Sequence, residues 1–136
     1  MEECQRYTSI IPIIEDRWWS RSPGVNQAHA AFIHSNGNFN KYGRIVNWDD
    51  IGVRPALKLN LNLADNLFWY KPEKLVGTKI KFGRYWWTIL DSEFGEIYVL
   101  CNKLIAKRSF DSKSNDWGKS ELKQWLEAEG LKLITS

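Results

Sequence analysis

The chain has 136 residues and a mass of 15.9 kDa, a size that carries a prior of one domain around one real core. With 43% hydrophobic residues, 26% charged residues and a mean hydropathy of -0.44, the composition excludes a disordered chain, a collagen-like repeat and a disulfide-stapled miniprotein. The net charge of +3 is too small to imply nucleic acid by itself.

No apolar run approaches the roughly 18 to 20 residues of a spanning helix, and Met1-Glu2-Glu3 lacks the basic start of a secretory signal. The expectation is a cytoplasmic protein with no membrane contact. Cys4 and Cys101 stand far apart without a C-x-x-C, so reduced thiols are expected and neither a disulfide nor a metal cage. Eight Trp, five Tyr and six Phe make the chain 14% aromatic. Large flat side chains with a polar tip serve either a thick core or a recognition surface.

In chain order, the first half is broken by Ser22-Pro23-Gly24, Ser35-Asn36-Gly37-Asn38, Lys41-Tyr42-Gly43 and Ile51-Gly52, which reads as turns between short strands. Ala30 to His34 and Asn38 to Asn40 flank Asn36-Gly37, a pair that tolerates positive φ at both corners, so a hairpin is expected. Gly52 to Leu59 alternates Val53, Pro55, Leu57 and Leu59 against Arg54, Ala56 and Lys58. That is one strand with one apolar face, placed at an edge or bulge by Pro55.

Residues 60–72 read as a linker, and Glu73 to Val76 as a possible helical turn. Thr78 to Phe82 then turns at Gly83-Arg84 into Tyr85 to Asp91, apolar on both parities, hence an inner strand covered on both faces. Ser92-Glu93-Phe94-Gly95 turns the chain into Glu96 to Cys101. A helix is expected over about Ser120 to Glu129, with Leu122, Trp125 and Leu126 on one face, Ser120 as cap and Gly130 as terminator. The fold class is α+β and strand-rich.

Two segments carry a resemblance. Arg17-Trp18-Trp19-Ser20-Arg21-Ser22-Pro23-Gly24, Ala30-Ala31-Phe32-Ile33, Asn36-Gly37 and Gly52-Val53-Arg54-Pro55-Ala56-Leu57 resemble the W-W-L-R-S-P-G … A-A-Y-V … D-G … G-V-R-P-A-L ending of an uncharacterised bacterial domain family. That family is distantly similar to the formylglycine-generating-enzyme and C-type-lectin-like fold group. Val76 to Leu90, followed by Asn115-Asp116-Trp117, Ser120 and Leu122-Lys123-Gln124-Trp125-Leu126, resembles the same family's beginning. The order is reversed here. The resemblance therefore implies a lectin-like fold, either circularly permuted through the 60–72 linker or cut across two tandem copies, in which case the chain would form a homo-oligomer. Permutation is favoured because the two halves of one chain then bury each other's aromatics. Ser20 stands where Leu is usual in the family.

Catalytic chemistry finds little support. His29 and His34 differ in strand parity and project to opposite faces. A formylglycine-type oxidase would need two reactive thiols in one site, whereas Cys101 lies on a second inner strand, Glu96 to Cys101, and Cys4 in the N-terminal stretch. Asn47-Trp48-Asp49-Asp50 and Asp111 to Asp116 offer oxygen ligands, but Lys113 stands where a calcium loop needs an acid or amide. No catalytic residue, metal or cofactor is expected.

The expectation is a non-enzymatic binding module that recognises a partner protein or glycan. Its candidate contact residues are Trp18, Trp19, Arg21, Asn36, Asn38, Trp48, Arg54, Trp86 and Trp87. Each adjacent Trp pair sends one ring to each face of its strand, so at least one ring of each pair belongs to a core. Another reading of the same size and composition is a small phage or mobile-element inhibitor of the anti-CRISPR kind, which occupies a protein surface of a nucleic-acid-binding enzyme. Specific nucleic-acid binding is not expected, because the basic stretch from Lys103 to Lys123 is diluted by Asp111, Asp116 and Glu121.

Overall fold

A computed structural model describes residues 11–60, 76–93 and 95–135. The linker over 61–72, the helical turn at 73–75 and Cys4 lie outside the described residues. Among the described residues nine strands form two sheets. β1 (Trp18–Pro23), β2 (His29–Ile33), β3 (Phe39–Ile45), β4 (Gly52–Val53) and β9 (Ala106–Lys107) make the first, in the order β3-β2-β1-β4-β9. β5 (Ala56–Asn60), β6 (Lys79–Phe82), β7 (Tyr85–Glu93) and β8 (Glu96–Cys101) make the second, in the order β5-β8-β7-β6. All pairings are antiparallel except β1 with β4.

The hairpin expected at Asn36-Gly37 joins β2 to β3. Its loop has three residues rather than two, because the His34 N–H bonds the Asn38 carbonyl at 2.8 Å, and Gly37 takes a left-handed corner at φ 92°. In β1 the chain advances four positions from Trp19 to Pro23 while β2 advances two from Phe32 to Ala30. The buried Ser20 hydroxyl fills this bulge, donating to the Ala31 carbonyl at 2.8 Å and accepting from the Ser22 N–H at 3.1 Å. A leucine at this position could not serve those two backbone groups.

The single strand expected over Gly52 to Leu59 is two strands in different sheets. Pro55 supplies no ladder N–H, and the chain uses Arg54-Pro55 to leave β4 and enter β5. Val53 pairs with Ala106, and Ala56 already pairs with Leu100 of the other sheet. The crossing is pinned on the Cys101 backbone: the Cys101 N–H donates to the Pro55 carbonyl at 2.9 Å, and Arg54 Nε donates to the Cys101 carbonyl at 2.6 Å.

The helix begins where expected and ends later. Ser120 Oγ accepts the Lys123 N–H at 3.1 Å, a side-chain N-cap, and the helical run α1 continues over 121–135 as Glu121–Trp125, a wider-wound Leu126–Gly130 and Leu131–Thr135. Gly130 does not terminate it. Gly130 is buried inside α1, and a Cβ there would stand 3.0 Å from Leu126 Cδ2 and 3.3 Å from Trp125 Cζ3. The residue is therefore selected by close packing, not by a left-handed stop.

Three apolar clusters follow from these layers. Trp19, Phe32, Val53 and Phe110 pack with Leu122 and Trp125 of α1 on one face of the first sheet, and Ile14, Trp18 and Ile33 pack on the other. Trp87, Ile89, Ile97 and Val99 of the second sheet pack with Ile134 near the end of α1. One helix thus serves both sheets, and Ile105 touches both cores. No described helix is long and apolar enough to cross a membrane.

Candidate functional site

One edge of the second sheet is built by the β6–β7 hairpin. Gly83, at φ 63°, turns β6 back as β7, and the Arg84 N–H bonds the Ile134 carbonyl at 3.2 Å, which seats the turn against the end of α1. The tight turn sets the register: Ile80 opposes Trp87, Lys81 opposes Trp86 and Lys79 opposes Thr88. Cross-strand partners share a face, so Ile80 and Trp87 point into the core while Lys79, Lys81 and Trp86 point out.

Trp87 is fully buried, and its indole N–H donates to the Phe82 carbonyl at 3.0 Å. Trp86, one residue earlier, is 52% exposed. The inner strand is therefore covered on both faces only over residues 87–89, and Trp86 corrects the expectation that the whole of it is covered.

Around Trp86 lies an open groove of about 600 Å³ lined by Lys79, Arg84, Tyr85, Trp86, Asn102 and Lys103. Lys81 Nζ stands 5.6 Å from the Trp86 ring centroid, a cation–π distance. Asn102 is anchored twice. Its backbone N–H donates to the Trp86 carbonyl at 2.9 Å, and its side-chain oxygen accepts the Thr88 hydroxyl at 2.6 Å. That second bond uses one lone pair of the amide oxygen, so Asn102 can offer a ligand its N–H groups and one remaining acceptor position. None of the lining residues is a carboxylate, and among the described residues none of Lys79, Arg84 and Lys103 is in an ion pair with one.

The other candidate residues fall elsewhere. Trp18 and Trp19 are both buried, at 3% and 6% exposure. Arg54 is buried too, its guanidinium 4.6 Å above the Trp18 ring with Nη1 donating to the Pro12 carbonyl at 3.3 Å. Burial lowers its pKa to about 10, against the opposing fields of Cys101 and Glu15, so it stays a cation at neutral pH. The Cys101 thiol, which burial pushes upward, is free and inside.

Asn36 and Asn38 sit on the β2–β3 loop, beside a shallower groove of about 520 Å³ that Asn38, Lys41 and Tyr42 help to line. The Asn36 side-chain oxygen accepts the Asn38 N–H at 3.0 Å, and that of Asn40 accepts the Tyr42 and Gly43 N–H groups at 3.1 Å each, so both are committed to turns. Trp48 is 43% exposed with the Arg44 guanidinium 4.8 Å over its ring. Arg21 is exposed on β1. Of the nine candidates, Trp18 and Arg54 meet inside the molecule, and Trp86 alone lines the basic groove.

The residues that sequence reasoning missed are Lys79, Lys81, Arg84, Tyr85, Asn102 and Lys103. The two β6 lysines were within reach, because a two-residue turn at Gly83-Arg84 already dictates that Lys81 faces Trp86. Asn102 and Lys103 follow only from the β7–β8 register. Among the described residues no group of three His, Cys, Asp or Glu side chains converges. No family model, curated protein or solved structure matches the chain.

Proposed function

We propose that the protein is a non-enzymatic binding module whose contact face is the Trp86 groove, with a glycan or a partner protein as ligand. The observation that carries this reading is a half-exposed indole set among hydrogen-bond donors, directly beside a fully buried one. An exposed ring on a rigid strand is a platform that loses little freedom when a ligand covers it.

The permuted lectin-like relationship belongs to the same proposal. It is supported by the way the halves interlock: β5 from the first half completes the second sheet, and β9 from the second half completes the first. A single chain thereby meets the needs of both motifs, which favours permutation over a slice of tandem copies. The test is a glycan array together with crosslinking to bound proteins, run with the wild type and Trp86→Ala. Binding that drops at least tenfold in the variant supports the reading, and a variant that binds like the wild type overturns it.

A further inference from the structure

We infer that the groove takes an acidic sugar chain, one pyranose ring lying on the Trp86 indole and its carboxylate or sulfate held among Lys79, Arg84 and Lys103. The inference rests on the binding-module reading and adds the chemical class of the ligand.

The polar complement of the groove decides the charge. Lysine and arginine donate and never accept, and the side-chain acceptors among the lining residues are the Tyr85 hydroxyl and the one lone pair that Thr88 leaves on the Asn102 oxygen. Each hydroxyl of a neutral sugar both donates and accepts, so a neutral ligand finds few acceptors along this wall for its own O–H groups. An anionic oxygen accepts only, and matches it. Three lining cations without a lining carboxylate give the same answer electrostatically.

The shape decides the class. A nucleic-acid strand is gripped by successive aromatic platforms along a basic track. Here the groove holds one exposed indole, while Tyr42 and Trp48, the other strongly exposed aromatics among the described residues, belong to β3 and the turn after it. A protein partner would need an apolar patch around its anchor. The other exposed large hydrophobics are Ile13, Val25, Tyr42, Ile45, Trp48 and Leu131, and none lies on β5 to β8. An open groove of about 600 Å³ with one exposed indole suits a short stretch of sugar rings.

The test is titration calorimetry of the full chain with polygalacturonate oligomers, heparin oligomers, neutral dextran oligomers and single-stranded DNA of matched charge. Affinity for one or both acidic glycans should exceed that for dextran by at least tenfold and weaken as salt rises. The uronate and sulfate arms identify which anion is held. Trp86→Ala and the pair Lys79→Glu/Lys103→Glu should each cost tenfold or more. Lys41→Glu/Lys119→Glu, which changes the net charge equally on β3 of the other sheet and just before the start of α1, should not.

Equal affinity for dextran overturns the acidic class and leaves the binding module standing. DNA bound as tightly as the glycans, or equal losses in the two charge-reversed pairs, overturns it in favour of a general polyanion effect. If no sugar binds while a Trp86-dependent protein crosslink forms, the inference fails and the module reading survives. If neither occurs, both fail.

Discussion

Two adjacent tryptophan pairs, Trp18-Trp19 and Trp86-Trp87, are indistinguishable by type and meet opposite fates. Strand parity sends one ring of each pair to each face, so the difference lies in what covers the faces. The first sheet is covered twice, by α1 over Trp19 and by Ile14 and its neighbours over Trp18. The second sheet is covered by the end of α1 over Trp87 and left open at Trp86. Position in the layer stack, rather than residue type, separates a core tryptophan from a platform.

The comparison breaks first at the rings themselves. Trp87→Ala should destabilise the fold by about 3 to 5 kcal/mol, the range for deleting a buried Trp ring. Trp86→Ala should fall within about 0.5 kcal/mol of the wild type, as an exposed position does. Urea denaturation of both variants checks the asymmetry. Equal losses would show that Trp86 is as structural as its neighbour.

The helix that covers one sheet and leaves part of the other open is held at its start by Asp111. Its carboxylate accepts N–H bonds from Lys113, Ser114 and Glu121, each at 3.0 Å. Burial works against the charge, but those backbone donors from Ser114, Glu121 and Lys113 outweigh it and hold the pKa below the usual value of 3.8. A depressed carboxylate adds stability that is present above its unfolded pKa and disappears as pH falls through the lower folded value. Asp111→Asn should therefore cost about 2 kcal/mol at neutral pH, and the gap to the wild type should close in the acid range below about pH 4. A gap that stays constant down to pH 2 would contradict this role.

Ser120→Ala removes the N-cap and should cost about 1 kcal/mol, read by thermal melting. Its effect should be smaller than that of Asp111→Asn, because one neutral acceptor is lost rather than a charged one serving three donors.

Much of this was legible in the chain. The hairpins at Asn36-Gly37 and Gly83-Arg84, the alternation of β5 and the Ser120 cap are local signals, and local physics fixes them. Where the reading went astray, a tertiary contact had taken over. Gly130 carries a stop signal, yet the helix runs on to Ile134, which packs into the core of the second sheet. Arg54 alternates like a surface residue, yet the crossing between sheets buries it against Trp18. The groove was half legible: Lys81 and Trp86 face each other by register, but nothing local to Asn102 or Lys103 announces that β8 delivers them to the same place.

The most direct measurement follows the indole N–H resonances in a nitrogen–proton correlation spectrum, assigned by single Trp→Phe substitutions, during titration with acidic sugar oligomers. The account predicts that the Trp86 signal shifts in proportion to binding while those of Trp18, Trp19 and Trp87 hold still. A Trp86 signal that stays fixed while the ligand binds, with Trp48 moving in its place, would contradict it.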